Sequence, residues 1–371
     1  MSISKICDQS LAGPLFSAID FGVVGDGKTD NTVALQAALD EAAKQRCTVY
    51  LPAGEYLSGE LKFGPHTGLV GDATWAYRSA GGTRLRLNDD KAVALLNITG
   101  ARGATINGLT LHGDNLGSGV HGIYMGANPE RREEDAPRIE RCHISHFSGD
   151  GIHLDPVWCF SVRSCEVIFN KRHGLWMVGW DGFVLDNWFS GNGGAGYAAT
   201  KANASMTLTG NRIEWNRGGG IMIEGGSHYN ITGNYIDRAG GPGITLRGVE
   251  GRPCLCMTAT GNVIYRSGKP DWTSDEAFSA HALLEKCHGV VFSGNSMCVG
   301  RDDSGGLTSP QYGIIIKELK NSIVKGNTLH IGAITELVRD LGGHGEGVVV
   351  AENVGSLYSD IDKSIWESGQ R

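Results

Sequence analysis

Residues 186–200 read DNWFSGNGGAGYAAT, residues 210–224 read GNRIEWNRGGGIMIE and residues 233–247 read GNYIDRAGGPGITLR. Each copy gives an asparagine, an outward residue, an apolar residue, a short turn, and then glycine–apolar–x–apolar. Outward from these copies, the asparagine returns as a series: Asn187, Asn211, Asn234, Asn262, Asn295, Asn327 and Asn353. The glycine that opens the second strand recurs as Gly151, Gly174, Gly196, Gly220 and Gly243. A period in the low twenties built of short alternating strands marks a solenoid, in which equivalent residues of successive coils stack into columns.

The bulk composition agrees. Fifty-six glycines and a charged fraction of 20% in 371 residues suit many tight turns between short strands. The net charge of -7 comes without a basic stripe, which argues against a nucleic-acid partner. No apolar run approaches the roughly 18 residues of a membrane span, so no membrane partner is expected. The first 22 residues lack a basic start followed by a long apolar core, so no export signal is read. The nine cysteines are odd in number and show no paired metal spacing, which points to reduced thiols in a cytoplasmic protein. A secreted location would follow only if an export segment had been removed. One continuous domain is expected: an N-terminal cap with the first strands over 1–60, coils over 61–355, and a tail over 356–371.

Near the N-terminus, Asp30, Asn31 and Thr32 suit the start of a helix running from about Val33 to Lys44. Its residues Val33, Leu35, Ala38, Leu39 and Ala42 mostly share one face. A solenoid's first coil would expose its core, so an amphipathic helix there reads as an end cap. Residues 21–57, FGVVGDGKTDNTVALQAALDEAAKQRCTVYLPAGEYL, resemble the N-terminal cap of the pectate-lyase-like, right-handed parallel β-helix proteins. That superfamily includes polygalacturonases, related glycoside hydrolases and phage tailspikes. The resemblance implies an all-β, right-handed parallel β-helix with an N-terminal helical cap. It leaves function open among hydrolases, lyases, epimerases, transglycosylases and binding spikes.

Three short strands are expected per coil. In the coil from Ala204 they fall at 206–208, 212–214 and 221–224. Alternation sends Ile213, Ile221 and Ile223 inward and Arg212, Glu214, Met222 and Glu224 outward. The asparagine ladder reads as structural, its amides stacking on the next coil. Excursions at 127–136, 267–280, 300–311 and 331–346 interrupt the repeat and would wall a groove or an oligomer contact.

Two outward clusters carry candidate chemistry. The first is Asp150, His153, Asp155, His173 and Trp176. Asp150 and His173 fall in equivalent places on neighbouring coils, and a carboxylate beside an imidazole is acid/base equipment. Trp176 and His153 would position a sugar, the indole by stacking on its ring. GDG at 149–151 and RHG at 172–174 look similar to two polygalacturonase motifs at Asp150 and His173. The double-aspartate motif and the Arg-x-Lys clamp of that family are missing, so galacturonan hydrolysis is disfavoured.

The second cluster is Glu214, Asp237, Glu224 and Arg247. Glu214 and Asp237 share an outward column, where two stacked carboxylates repel and one pKa should rise. A carboxyl pair of this kind suits glycosidic-bond cleavage. Glu224 and Arg247 are stacked, which suits a salt bridge, and Arg247 is also expected to help position the sugar. Glu166, Trp188, Arg212 and Tyr235 form a neighbouring column whose aromatic and basic members could grip a sugar. Asp155 and Glu224 stand three coils apart and cannot act as one pair within a subunit.

Inulin fructotransferases, β-helix trimers of the same superfamily, place such groups together in a groove between subunits. The resemblance therefore implies a homotrimer, and no motif of that family carries over residue by residue. Lyase chemistry needs a Ca²⁺ cluster or a basic group beside a uronate. Arg301-Asp302-Asp303 reads instead as a solvated turn, and His344 with Glu346 is too few for a metal site. The sequence thus predicts a carbohydrate-active enzyme that cleaves or rearranges glycosidic bonds of a neutral oligo- or polysaccharide, without metal or organic cofactor. Acid and base would come from Glu214, Glu224, Asp237, Asp150, Asp155 and His173. A uronate lyase or epimerase, and a non-catalytic glycan-binding spike, are the alternatives.

Overall fold

The computed structural model describes residues 15–130, 132–269, 278–301 and 307–359. They divide into two compact units, one ending at Glu166 and one beginning at Val167. Both are built from parallel strands in β-helical coils.

In the first unit the predicted helix forms at Thr32–Gln45 and buries Leu35, Ala38, Leu39 and Ala42 against neighbouring strands. Its start differs in detail from the expectation. Asp30 Oδ1 accepts from the Thr32 amide at 2.9 Å and from its hydroxyl, while the Asn31 side chain is tied to Val24. Val33, expected on the buried face, is 84% exposed.

Three columns of strands follow. One stacks Leu15–Ser17, Thr48–Leu51, Gly68–Gly71, Thr105–Asn107 and Arg138–Glu140. The second stacks Asp26–Asp30, Gly54–Ser58, Thr83–Leu87, Thr110–His112 and His143–Ser145. The third stacks Leu61–Lys62, Ala94–Asn97, His121–Met125 and the strand Ile152–Arg163.

In the second unit the repeat is most regular. Trp188–Ser190, Arg212–Glu214, Tyr235–Asp237, Val263–Tyr265, Ser296–Cys298 and Thr328–Ala333 stack in register. Ile213, Ile221 and Ile223 lie in the core as alternation requires. The third strand of one coil is fused to the first strand of the next in Ala195–Thr209, where separate strands were expected. The excursion expected at 331–346 is largely regular, because Glu336–Asp340 pairs with Tyr312–Lys317. The cores of the excursions near 270 and 303, and most of the tail, lie outside the described residues.

The asparagine ladder is continuous. Each Nδ2 donates to the next Oδ1 at 2.8–3.0 Å from Asn187 to Asn353. The residue before each rung needs a left-handed backbone, which explains the Gly-Asn phrase: Gly210, Gly233, Gly261, Gly294 and Gly326 have φ of +65 to +69. A second ladder, Asn170–Asn192–Asn216, runs beside it with Nδ2–Oδ1 distances of 3.0 and 2.9 Å. A buried amide left unpaired costs about 1–3 kcal/mol, so these turns tolerate little but asparagine. The eight cysteines among the described residues are free thiols. No helix among these residues is long and apolar enough to cross a membrane.

Candidate active site

In the first unit, strand alternation turns Ile123, Met125, Ile152 and Leu154 into the core and leaves Tyr124 and His153 facing outward on adjacent coils. His121 and Asp150 precede Gly122 and Gly151 at the equivalent turn. The Asp150 carboxylate is wholly enclosed, and its Oδ2 lies 2.8 Å from Nδ1 of His153. The Asp150 amide donates to Nδ1 of His121 at 3.0 Å. That nitrogen therefore carries a lone pair, and its 3.4 Å approach to Asp150 Oδ2 is a proximity rather than an ion pair. His153 is the opposite tautomer: with Nδ1–H directed at Asp150, the neutral ring has its lone pair on Nε2.

The three rings pack together. His121 and His153 are 4.3 Å apart between centroids, and Tyr124 lies 5.2 Å from His153 with the planes 20° apart. The donor atoms of His121, Asp150 and His153 fall within 4.8 Å of one another, the spacing of a metal site. An ion held through the Nδ1 atoms would have to displace the amide from His121 Nδ1 and the proton between His153 and Asp150. The arrangement as it stands is that of an acid/base group.

Two of these residues, His121 and Tyr124, were missed in the sequence. The signal was present: HGIYM at 121–125 repeats DGIHL at 150–154, so both columns extend one coil further back. Asp155 lies two residues beyond His153 and is half-buried.

His173 and Trp176 belong to the second unit. His173 Nδ1 accepts the Ala195 amide at 2.9 Å, the same turn-holding role that His121 plays for Asp150. Lys201 Nζ stands 5.6 Å from the centroid of the Trp176 ring.

The second cluster departs from expectation. Glu214 and Asp237 are adjacent in register, yet they are 5% and 1% exposed rather than solvated. Glu214 accepts from Trp188 Nε1 at 3.0 Å and from Arg212 Nε at 3.0 Å. The Arg212 guanidinium lies between the Trp188 and Tyr235 rings, at 5.3 and 5.0 Å. Asp237 receives both Nε and Nη2 of Arg266, at 3.0 and 2.9 Å, and also Arg238. Burial raises the Asp237 pKa, opposed by Arg266, with the Glu214 charge a lesser contribution. A carboxylate clamped by two arginines is poorly placed to move a proton or attack a sugar.

Glu224 is half-buried in the register position beside Arg247, but Arg247 forms its ion pair with Glu285, Nε to Oε2 at 3.2 Å. Lys317 reaches the same carboxylate at 3.1 Å. Glu166, expected on an outward column beside the cluster, is buried, and burial lifts its pKa to about 7. Asp302 and Asp303 lie outside the described residues. His344 is held by Asp340 and by the Leu319 amide.

Comparison with known proteins adds three likenesses. The chain is 31% identical over 258 residues to mannuronan C5-epimerase AlgE3 of Azotobacter vinelandii, a match covering 60% of this chain and 13% of the epimerase. It is 34% identical over 150 residues to alginate lyase 7 of the same organism, covering 36% of this chain and 18% of the lyase. The chain thus spans a small part of each of these two relatives. Among solved structures, the A-module of the Azotobacter vinelandii mannuronan C-5 epimerase AlgE6 superposes with a TM-score of 0.60 at 19% identity, covering 93% of this chain and all of the module. That likeness concerns the fold alone. The model of the right-handed β-helix region matches residues 121–295 and 201–358. With its stacked parallel coils and asparagine ladders, the chain belongs to the right-handed β-helix family.

Proposed function

We propose that the chain modifies a uronate-containing polysaccharide by removing the proton at C5 of a sugar ring, as an epimerase or a lyase. The observation that carries this reading is the Asp150–His153 pair with Tyr124 on the adjacent coil. A C5 proton beside a carboxylate is weakly acidic, so its removal needs a positioned base. His153 supplies one through Nε2. The buried Asp150 charge holds the ring in that tautomer and stabilises the imidazolium that forms. Tyr124 supplies a second proton-transfer group one coil away. Return of a proton to the opposite face of C5 gives the epimer. Cleavage of the C4–O4 bond, with a proton delivered to the departing oxygen, gives an unsaturated uronate and a new chain end.

The likeness to a mannuronan C5-epimerase and an alginate lyase supports the same chemistry. Of the groups expected to cleave or rearrange glycosidic bonds of a neutral glycan, Glu214 and Asp237 are held by arginine partners, which speaks against those two as acid and base.

The test is incubation of the purified protein with mannuronan, polygalacturonate and neutral fructan and glucan chains. Epimerisation changes the sugar configuration at constant mass, and elimination gives products with new ultraviolet absorbance. Products heavier by one water, from any of these chains, would replace the proposal with hydrolysis.

A further inference from the structure

The second unit carries a cleft of about 580 Å³ that the chemistry above does not use. It crosses a corner of three successive coils. Cys254 pairs with Cys287 and Leu255 with His288, and His288 in turn bridges to Lys320. One wall is a tight hairpin in which the amides and carbonyls of Val249 and Arg252 pair at 2.9 and 3.0 Å, turned by Gly251 at φ +70. The far wall is hollowed by Gly343 and Gly345, where a Cβ would meet Glu318 at 2.9 Å and Lys320 at 3.3 Å.

The charges in this cleft are unevenly engaged. Glu318 is held by Lys317 at 3.4 Å, and Lys320 by Glu346 at 3.7 Å. Among the described residues no carboxylate pairs with Arg252 or Lys286, and half-buried His288 lines the same cleft as Lys286 and Lys320. Among the described lining residues Glu250 remains as the unengaged acid, exposed on the same hairpin turn as Arg252, so the unengaged charges at the cleft are two cations and one carboxylate. Two unpaired cations in a concave site, on a chain of net charge -7, favour an anionic ligand. Three coils span roughly 10–14 Å by strand spacing, a length that suits a short run of sugar residues.

We propose that this cleft is a second glycan-binding site, in which Arg252 and Lys286 take the carboxylates of a short uronate segment. The inference rests on the uronate reading and adds a tether for the polymer, raising its effective concentration at the reacting residues.

The experiment is calorimetric titration of trimannuronate into the full chain, the R252A/K286A variant and the H153A variant, with a neutral trisaccharide as control. The expected result is binding of the anionic trimer at two sites in the parent and in H153A. R252A/K286A should bind it at one site, with an unchanged melting temperature. Its KM for long polymer should rise about tenfold or more, with kcat on short chains retained. Two-site binding that persists in R252A/K286A, or a cleft that prefers the neutral trisaccharide, would overturn the proposal. A parent that turns over the polymer but binds the trimer at a single site, insensitive to R252A/K286A, would overturn the cleft alone. A parent that neither binds nor converts uronates would overturn the uronate reading along with it.

Discussion

Asp150 Oδ2 lies 2.8 Å from His153 Nδ1, and the aspartate has no exposed surface while the histidine ring reaches the outer face of its strand. A buried carboxylate so placed sets which ring nitrogen is basic. Replacing Asp150 with Asn keeps the shape and a hydrogen-bond acceptor but removes the charge opposite the imidazolium. Turnover on uronate chains should fall about a hundred- to ten-thousandfold with cooperative unfolding retained. Parallel kinetics and thermal melts check this, and a rate within a few-fold of the parent would remove Asp150 from the chemistry.

Tyr124 stacks on His153 from the adjacent coil. If its hydroxyl handles the second proton, Tyr124→Phe should uncouple abstraction from product formation. Hydrogen exchange at C5 should continue while epimer or unsaturated product drops at least about tenfold. Nuclear magnetic resonance of the polymer reports both quantities at once. Equal loss of exchange and product would instead make Tyr124 a positioning residue for the base.

Asp237 is clamped by Arg266 and Arg238 in a buried network. Its removal should act on stability first. Asp237→Ala leaves two buried guanidinium groups without their carboxylate, a loss of about 3–5 kcal/mol. Denaturant titration should show a lower midpoint. A variant of parental stability with abolished turnover would restore Asp237 as a catalytic candidate.

The interior rungs of the asparagine ladder give a further stability test. Asn234→Ala removes an amide that donates to Asn262 Oδ1 and to the Leu208 carbonyl. It should cost about 1–3 kcal/mol, because those acceptors are buried. The same substitution at Asn353, at one end of the ladder and bonded to Asn327 from one side, should cost less.

Glu166 and two histidines give the first unit a defined pH response. Burial raises the Glu166 pKa to about 7, above its usual 4.5. Its contribution to stability is full below pH 4.5 and is lost as pH rises to about 7. Burial lowers His112 and His143 to about 4 from 6.5, so these groups cost stability as pH falls from 6.5 towards 4. Glu166→Gln should therefore gain stability on the alkaline side, by no more than about 3 kcal/mol, and gain little near pH 4. Melts across pH 4–9 check the sign. A gain that is the same at every pH would mean that Glu166 stays charged in the fold.

The parts of this structure that the sequence exposed are those set by backbone geometry. A left-handed residue followed by a buried amide leaves Gly-Asn at five rungs, with Asp186 and Glu352 in the left-handed position at the two ends, so the long ladder was readable. The shorter ladder was not, because Phe169 and Trp215 take the left-handed position before Asn170 and Asn216. Strand alternation correctly turned His153 outward. It could not show what covers an outward face. Glu214 and Asp237 point away from the core, yet Arg238 and Arg266, both on left-handed turn residues, fold back over Asp237. Asp150 was legible as a turn residue with a carboxylate. Its partner His121 lay one coil before the point where the columns were first followed.

Whether His153 is the base that removes the C5 proton is tested by C5 exchange in deuterated water. Mannuronan would be incubated with the parent and with His153→Ala, and deuterium at C5 followed by nuclear magnetic resonance. Steady incorporation is expected with the parent, and a loss of about a hundredfold or more with the variant. A parent that changes the polymer without exchanging C5, or a His153→Ala variant that exchanges it at the parental rate, would contradict His153 as the base.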